Sequence, residues 1–125
     1  MKTILVVDDE WVIADALQAI LGDAGYRVLT AANGRQGLAR LAEIRPDVIL
    51  LDLMMPVLDG PGMLAALAAD PAHRDIPVIL MSSLDRDAVA RVAQGHRAFL
   101  SKPFLGPELL ALIAQVLAEP APEAR

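Results

Sequence analysis

Three short apolar runs of this chain each end against polar residues suited to phosphoryl chemistry. Asp8, Asp9 and Glu10 follow the first run, Asp52 follows the second, and Lys102 comes shortly after the third. If the runs are neighbouring parallel strands, their carboxyl ends meet at one edge of a sheet, where such folds bind ligands. Carboxylates held that close repel one another, and a divalent cation resolves the conflict. The residue types therefore predict an acidic pocket with one lysine, suited to magnesium and a phosphate.

The composition narrows the choice of metal. The chain contains no cysteine, and its two histidines lie away from the three runs. A soft-metal site with thiolate or several imidazole ligands is therefore not expected. Magnesium instead takes a few carboxylate oxygens, a carbonyl oxygen and several waters, and phosphate oxygens usually complete its shell.

The elements that must position these groups follow from periodicity. Short β-branched or leucine-rich runs alternate with longer segments of helical period, which is the pattern of βα units around a parallel sheet. Nearly continuous apolar runs are typical of strands covered on both faces. The sequence thus predicts an α/β fold, a doubly wound five-stranded parallel sheet with five helices. The predicted strands are residues 3–7, 27–31, 48–51, 78–81 and 98–101.

Capping and breaking residues predict the helix ends. Asn33 and Asp59 each precede a glycine at a helix start, where side chains of their type accept amide hydrogens. Pro107 suits the first turn of the last helix. Pro46 is expected to end the second helix, because the residue before a proline is pushed out of the helical region.

Length and charge bound the remaining possibilities. At 125 residues and 13.3 kDa the chain fits one domain, and a hydrophobic content of 55% is ample for a core. A net charge of -5 argues against direct nucleic-acid binding, and no apolar stretch is long enough for membrane insertion. The lack of cysteine fits a reducing cytoplasm. We expect one domain over residues 1–118 and a flexible tail or linker start over 119–125.

Four segments in order give the chain a family resemblance over residues 2–118. It resembles the receiver domain of response regulators in two-component signalling, the CheY-like superfamily. The resemblance implies a flavodoxin-like strand order, 2-1-3-4-5. One segment alone is a weak signal, whereas all four in order are a strong one. The segments are VDDE at 7–10, LDLMMP at 51–56 with DG at 59–60, MSS at 81–83 and KPF at 102–104.

The resemblance implies how the acidic residues divide the work. Asp52 would be the phosphoacceptor and would become an aspartyl phosphate. Asp9 would bind magnesium directly, with manganese able to replace it, and Asp8 would support the ion partly through water. Asp52 and the backbone carbonyl of Met54 would complete the protein's share of the metal ligands.

The resemblance also implies roles on the side of the pocket away from the acids. Lys102 would pair with one phosphoryl oxygen as a compact point charge. Ser82 would donate its hydroxyl to another, with Ser83 as a rival for that role. Phe99, three residues before the lysine, would be the aromatic switch that turns inward when the serine moves toward the phosphate. The domain would catalyse its own phosphorylation and dephosphorylation without turning over a substrate.

Partners follow from the same resemblance. The donor would be the phosphohistidine of a sensor histidine kinase or phosphotransfer protein. The partner that reads the phosphorylated domain would be a downstream effector protein or an output domain. The sequence leaves open whether the chain is a stand-alone receiver or a fragment of a longer regulator, and whether it acts as a phosphorylation-independent interaction module.

Rival interpretations explain fewer of these residues. A flavin mononucleotide site would need a hydroxyl- and glycine-rich loop where the acidic segment 8–10 would repel phosphate. An aspartyl phosphohydrolase would commonly carry a second acid two residues after its nucleophile, where this chain has Met54. The acidic segment could also simply cap the first helix. Capping and metal binding can coexist.

Two departures from the family pattern carry predictions. Polar groups that orient the hydrolytic water in the family are replaced here by Met54 and Leu84, which predicts a slowly hydrolysing phospho-form. The last helix has a wide apolar arc, which either is buried in a small protein or partly faces a partner. The arc consists of Leu109, Leu110, Leu112, Ile113, Val116 and Leu117.

Overall fold

The computed structural model describes residues 1–119. Five strands alternate with five helices along this part of the chain. The strands are β1 Thr3–Val7, β2 Arg27–Ala31, β3 Val48–Asp52, β4 Val78–Ser82 and β5 Ala98–Ser101. The helices are α1 Trp11–Asp23, α2 Gly34–Leu41, α3 Gly60–Ala69, α4 Arg86–Val92 and α5 Gly106–Ala118. Of the predicted tail, only Glu119 lies within the described residues.

The five strands form one parallel sheet in the order β2-β1-β3-β4-β5. This confirms the predicted doubly wound α/β fold and its strand order. Every residue of β1, β3 and β4 is buried, which explains why these strands have almost uninterrupted apolar sequences. β3 and β4 each run one residue further than predicted, so Asp52 and Ser82 are strand residues.

Side chains alternate between two cores on the two faces of the sheet. Leu5 and Val7 of β1 point into a core that α2, α3 and α4 cover, whereas Ile4 and Val6 point into a core covered by α1 and α5. Burial on both faces holds each strand in register, since a slip of one residue would exchange the two sets of side chains.

Three residues predicted at helix starts lie there, and two of them cap their helices through a side-chain hydrogen bond. Asn33 accepts a hydrogen bond from the Gln36 amide at 2.9 Å, and Asp59 accepts one from the Gly62 amide at 2.9 Å. Pro107 lies in the first turn of α5. These contacts satisfy amides that have no partner inside the helix.

The predicted end of the second helix was wrong by several residues. α2 ends at Leu41 rather than just before Pro46. The Glu43 and Ile44 amides both donate to the Arg40 carbonyl, at 3.0 and 3.1 Å, and this turn leads the chain out of the helix. Pro46 therefore shapes the connection into β3 and does not end the helix.

The apolar arc of α5 packs against the sheet. Leu109, Ile113 and Val116 are fully buried there. The other three members of the arc, Leu110, Leu112 and Leu117, are partly buried against the same core. This packing favours the interpretation of a well-buried helix. Within residues 1–119, no helix is both long and apolar enough to cross a bilayer.

Candidate functional site

Strand register brings the predicted pocket residues to one edge of the sheet. Asp52 pairs with Met81 at the end of β3, and Ser82 pairs with Ser101 at the end of β4. Asp8 directly follows β1, and its amide donates to the Ala31 carbonyl at 3.0 Å. Residues far apart in sequence therefore meet where the strands end.

Lys102 links the two buried carboxylates. Its Nζ lies 3.2 Å from Asp8 Oδ2 and 3.2 Å from Asp52 Oδ1. The Lys102 amide also donates to the Ser82 carbonyl at 2.8 Å, which extends the sheet by one hydrogen bond and fixes where the side chain starts. Sequence reasoning had placed this lysine in the pocket but had not shown that it bridges both acids.

Burial disfavours the charged forms of the groups in this cluster. Asp8 is 2% exposed and Asp52 is 6% exposed. Burial, followed by the charge of Asp8, raises the pKa of Asp52 above its usual value, although Lys102 opposes the shift. Burial lowers the pKa of Lys102, but Asp8 and Asp52 outweigh burial, so that its net shift is upward. One ammonium group thus serves two carboxylates.

The donor set fits a hard divalent cation. Carboxylate oxygens of Asp8, Asp9 and Asp52 lie within 4.8 Å of one another. Asp9 is exposed, whereas the other two acids are buried, so an ion held among them would keep access to solvent waters. Carboxylates beside an open space are the ligand chemistry of magnesium, and the residues present fit the predicted metal.

The acidic segment does not act mainly as a helix cap. Glu10 is the N-cap residue of α1 and makes no side-chain cap hydrogen bond. Asp8 Oδ1 instead accepts the Glu10 amide at 2.9 Å, which holds the buried carboxylate in a fixed orientation. A hydrogen bond to the charged form offsets part of the cost of burying that charge.

Ser82 and Ser83 lie in different surroundings. Ser82 is buried at the end of β4, and its Oγ accepts the Leu84 amide at 3.0 Å. Its hydroxyl hydrogen remains available to donate. Ser83 is exposed and lines a separate 330 Å³ cavity with Lys102 and Pro103. Its exposure makes Ser83 the less constrained of the two hydroxyl groups.

Phe99 lies on β5, partly buried against the core that α2, α3 and α4 cover. It also lines a 590 Å³ cavity with Asp85 at the start of α4 and Leu112 of α5. The ring therefore has both a packed position and adjacent open space, which an aromatic switch would need.

Apolar side chains line the exposed side of the acidic cluster formed by Asp8, Asp9 and Asp52. Asp9 lines a 520 Å³ cleft together with Met54, Leu84 and Val92. Met54 is 70% exposed, Leu84 39% and Val92 54%. The sequence analysis had identified the first two as positions where the family carries polar groups that orient the hydrolytic water. It missed Val92, because only the path of the short helix α4 brings that residue to the cleft.

Comparison with known proteins agrees with the fold and the site. The family model described as "Response regulator receiver domain" matches residues 4–114. The master transcriptional regulator RpaA of Synechocystis is 36% identical over 119 residues, which are 94% of this chain and 49% of that protein. Protein PilH of Pseudomonas aeruginosa is 39% identical over 120 residues, 94% of this chain and 99% of that protein. The chain belongs to the response-regulator receiver family.

Solved structures give the same assignment. The receiver domain of a signal transduction histidine kinase from Syntrophus aciditrophicus superposes with a TM-score of 0.87 at 33% identity, covering 94% of this chain and 91% of that one. The receiver domain of a sensor histidine kinase from Pseudomonas aeruginosa superposes with a TM-score of 0.85 at 30% identity, over 94% and 98% of the two chains. The latter carries a magnesium ion coordinated in its active-site cleft.

The relatives differ in length. The chain spans about half the length of RpaA, where it covers 49%, but nearly the whole of PilH. Receivers of this family therefore occur in the matched proteins both as part of a longer regulator and as almost the entire protein.

Proposed function

We propose that this receiver accepts a phosphoryl group on Asp52 from a phosphohistidine, in a magnesium-dependent transfer, and thereby changes the face it offers to partners. The observation that carries the proposal is the cluster in which Lys102 bridges Asp8 and Asp52. It puts the buried carboxylate that we propose as the nucleophile, a compact cation and acids suited to ligate a metal at one edge of the sheet.

The residues divide the transfer among them. A carboxylate oxygen of Asp52 forms a bond to phosphorus while the bond from phosphorus to the donor's imidazole nitrogen breaks, and the imidazole leaves with that electron pair. Lys102 exchanges a carboxylate partner for a phosphoryl oxygen, and Ser82 donates to another. Asp9, Asp52 and the Met54 carbonyl would hold magnesium, with Asp8 partly through water, and the ion would supply positive charge toward the phosphoryl oxygens. Manganese would serve similarly.

The switch uses Ser82, at the end of β4, and Phe99 on the neighbouring strand β5. When Ser82 donates to the phosphoryl group, its Oγ leaves the Leu84 amide, which opens space beside β4. Phe99 then turns inward from its half-buried position. New charge-assisted hydrogen bonds of this kind are sufficient to invert two states that differ by a few kcal/mol.

The partners we propose are a sensor histidine kinase or phosphotransfer protein as donor, and an effector protein or output domain as reader. The acidic surface, with a net charge of -5, argues against direct contact with nucleic acid. The lack of cysteine fits a reducing cytoplasm, where we place the protein.

Intact mass after incubation with acetyl phosphate tests the proposal. We expect one added phosphoryl group that requires magnesium, and no addition to Asp52→Ala. Asp59→Ala is the matched control, because Asp59 caps α3 at the same edge of the sheet without joining the acidic cluster. No addition to a folded, magnesium-binding wild type would favour a phosphorylation-independent interaction module.

The apolar side chains beside the acidic cluster lead us to propose a slowly hydrolysing phospho-form. Met54 and Leu84 can neither orient nor activate a water in line with the phosphorus. We expect Met54→Asn to shorten the lifetime of the purified phosphoprotein, whereas Val57→Asn, at an equally exposed residue of the same loop, should not. A wild-type lifetime of seconds would contradict this proposal.

A further inference from the structure

The loop that follows β3 is held from outside by helix α2. This loop, residues 53–59, carries the Met54 carbonyl that we propose as a metal ligand. The amide of Gly34, the first residue of α2, donates to the Leu58 carbonyl at 2.9 Å. An amide at a helix start has no partner inside its helix, so one hydrogen bond serves both the helix and the loop.

Only a glycine permits this approach. A Cβ on Gly34 would lie 2.7 Å from the Leu58 carbonyl oxygen and 3.0 Å from its Cγ. Backbone atoms cannot swing aside as the end of a side chain can. Any larger residue at position 34 must therefore move the loop away from α2 or move α2 away from the sheet.

The loop itself has a backbone conformation that needs support. The Leu58 amide donates to the Pro56 carbonyl at 2.8 Å, which makes a tight turn with Val57 at its centre. Val57 has a φ of 70°, which a β-branched residue rarely adopts, and its side chain is 72% exposed. Because little packing holds Val57, its conformation depends on the contacts of its neighbours.

Two further backbone hydrogen bonds lie at the base of the loop. The Leu53 amide donates to the Met81 carbonyl at 3.0 Å, and the Gly60 amide donates to the Leu53 carbonyl at 2.9 Å. These bonds fix the two ends of the loop beside Asp52. The contact between Gly34 and Leu58 holds the second half of the loop, where the Leu58 side chain also packs against the core.

We propose that Gly34 is a positioning residue of the metal site, which holds the loop so that the Met54 carbonyl faces the acidic cluster. This inference rests on the proposed function, since it takes that carbonyl as a magnesium ligand. It assigns to α2, which contributes no metal ligand, a share in setting the affinity for the ion.

Magnesium affinity of Gly34→Ala, measured by calorimetry, tests the inference. We expect the dissociation constant to rise about fivefold or more, because loss of the contacts that orient metal ligands commonly weakens metal binding by at least that much. In phosphorylation by acetyl phosphate, the magnesium concentration at half-maximal rate should rise by the same factor. The maximal rate at saturating magnesium should fall less than about twofold, because Asp52 and Lys102 are untouched.

Two glycines provide matched controls. A Cβ on Gly62 would meet only the flexible end of the Leu58 side chain at 2.6 Å and an Asp59 oxygen at 3.1 Å, and a Cβ on Gly22 would meet nothing within 4 Å. Gly62→Ala and Gly22→Ala should both keep wild-type magnesium affinity. Equal affinity in Gly34→Ala and Gly22→Ala would overturn the inference.

A further variant covers the case in which Gly34→Ala does not fold. Gly34→Ala with Leu58→Ala removes the Cγ contact and leaves the contact on the carbonyl oxygen, so position 34 is less crowded. This double variant should bind magnesium more weakly than Leu58→Ala alone, which loses the same packing of Leu58 against the core. Wild-type affinity in this double variant would contradict the inference. Failure of the wild type to bind magnesium at all would instead contradict the proposed function.

Discussion

The two edges of the sheet use the same kinds of charged residues in opposite ways. At the carboxyl edge, Lys102 lies between Asp8 and Asp52, all largely buried. At the amino edge, Lys2 faces Asp47 at 4.0 Å, with the two side chains 61% and 38% exposed. At the amino edge, water solvates both charged groups. At the carboxyl edge, the charged groups are removed from water and depend on one another for stabilisation.

The difference teaches which edge can do chemistry. An exposed ion pair gains little and changes little when a ligand approaches, because water already screens it. Two buried carboxylates that share one cation keep an excess of negative charge. A second cation beside them would therefore stabilise their charged forms. We therefore expect the carboxyl edge to bind a divalent ion, whose positive charge would stabilise the carboxylates that share Lys102.

The largest effect should come from removing the shared cation. In metal-free buffer, Lys102→Met should lower the free energy of unfolding by roughly 3 kcal/mol, because it leaves two buried carboxylates without their partner. Since the pKa of Lys102 is raised in the folded state, the difference from wild type should shrink as pH rises through that folded pKa. Urea denaturation measures both effects.

Lys2→Met is the control at the amino edge. It should change the free energy of unfolding by less than about 0.5 kcal/mol, since the pair with Asp47 is exposed. Equal losses in the two variants would show that burial does not separate the two edges.

A smaller effect of opposite sign should follow from removing one acid. In metal-free buffer near neutral pH, Asp52→Asn should raise the free energy of unfolding by about 1 kcal/mol, because it takes away a charge that burial and Asp8 disfavour. The pKa of Asp52 is raised in the folded state, so the wild type regains stability as pH falls through that pKa. The advantage of Asn should disappear in acid, and an advantage that grows there would contradict this explanation.

A small effect on stability is also expected at a second pair near the surface. Arg97 Nη1 lies 3.0 Å from Glu119 Oε2, with side chains 25% and 39% exposed. Glu119→Gln should lower the free energy of unfolding by about 0.5 kcal/mol or less, and added salt should remove the difference. A salt-insensitive loss of several kcal/mol would indicate that this pair behaves like the buried one.

A spectroscopic change should accompany metal binding without any mutation. Trp11 is 73% exposed and lines a 250 Å³ cavity with Asp8 and Asp9. Its fluorescence should therefore change on titration with magnesium, and Asp9→Asn should remove most of the change. A flat titration in a protein that binds magnesium by calorimetry would show that the indole does not sense the site.

The sequence was sufficient for what depends on local pattern. Uninterrupted apolar runs predicted the buried strands, and Asn33 and Asp59 predicted two helix starts, because each signal lies within a few residues of its effect. The position of Asp8, Asp52 and Lys102 at one edge followed from parallel strands ending together. Their joint occurrence with the family segments made the fold and the kind of site predictable.

What the sequence could not predict depends on how separate segments meet. Val92 reaches the cleft only because α4 ends there, and Gly34 approaches Leu58 only in the folded chain. The early end of α2 at Leu41 was missed since Pro46 is a stronger signal than the turn that precedes it. That Lys102 bridges two acids likewise depends on distances in the folded chain, which the spacing of residues in the sequence does not reveal.

Calorimetric titration with magnesium tests most directly whether the acids at the carboxyl edge bind a divalent ion. The wild type should bind one ion, Asp9→Asn should bind it about tenfold or more weakly, and Asp47→Asn at the amino edge should match the wild type. Absence of binding by the wild type, or equal weakening by both substitutions, would contradict the account.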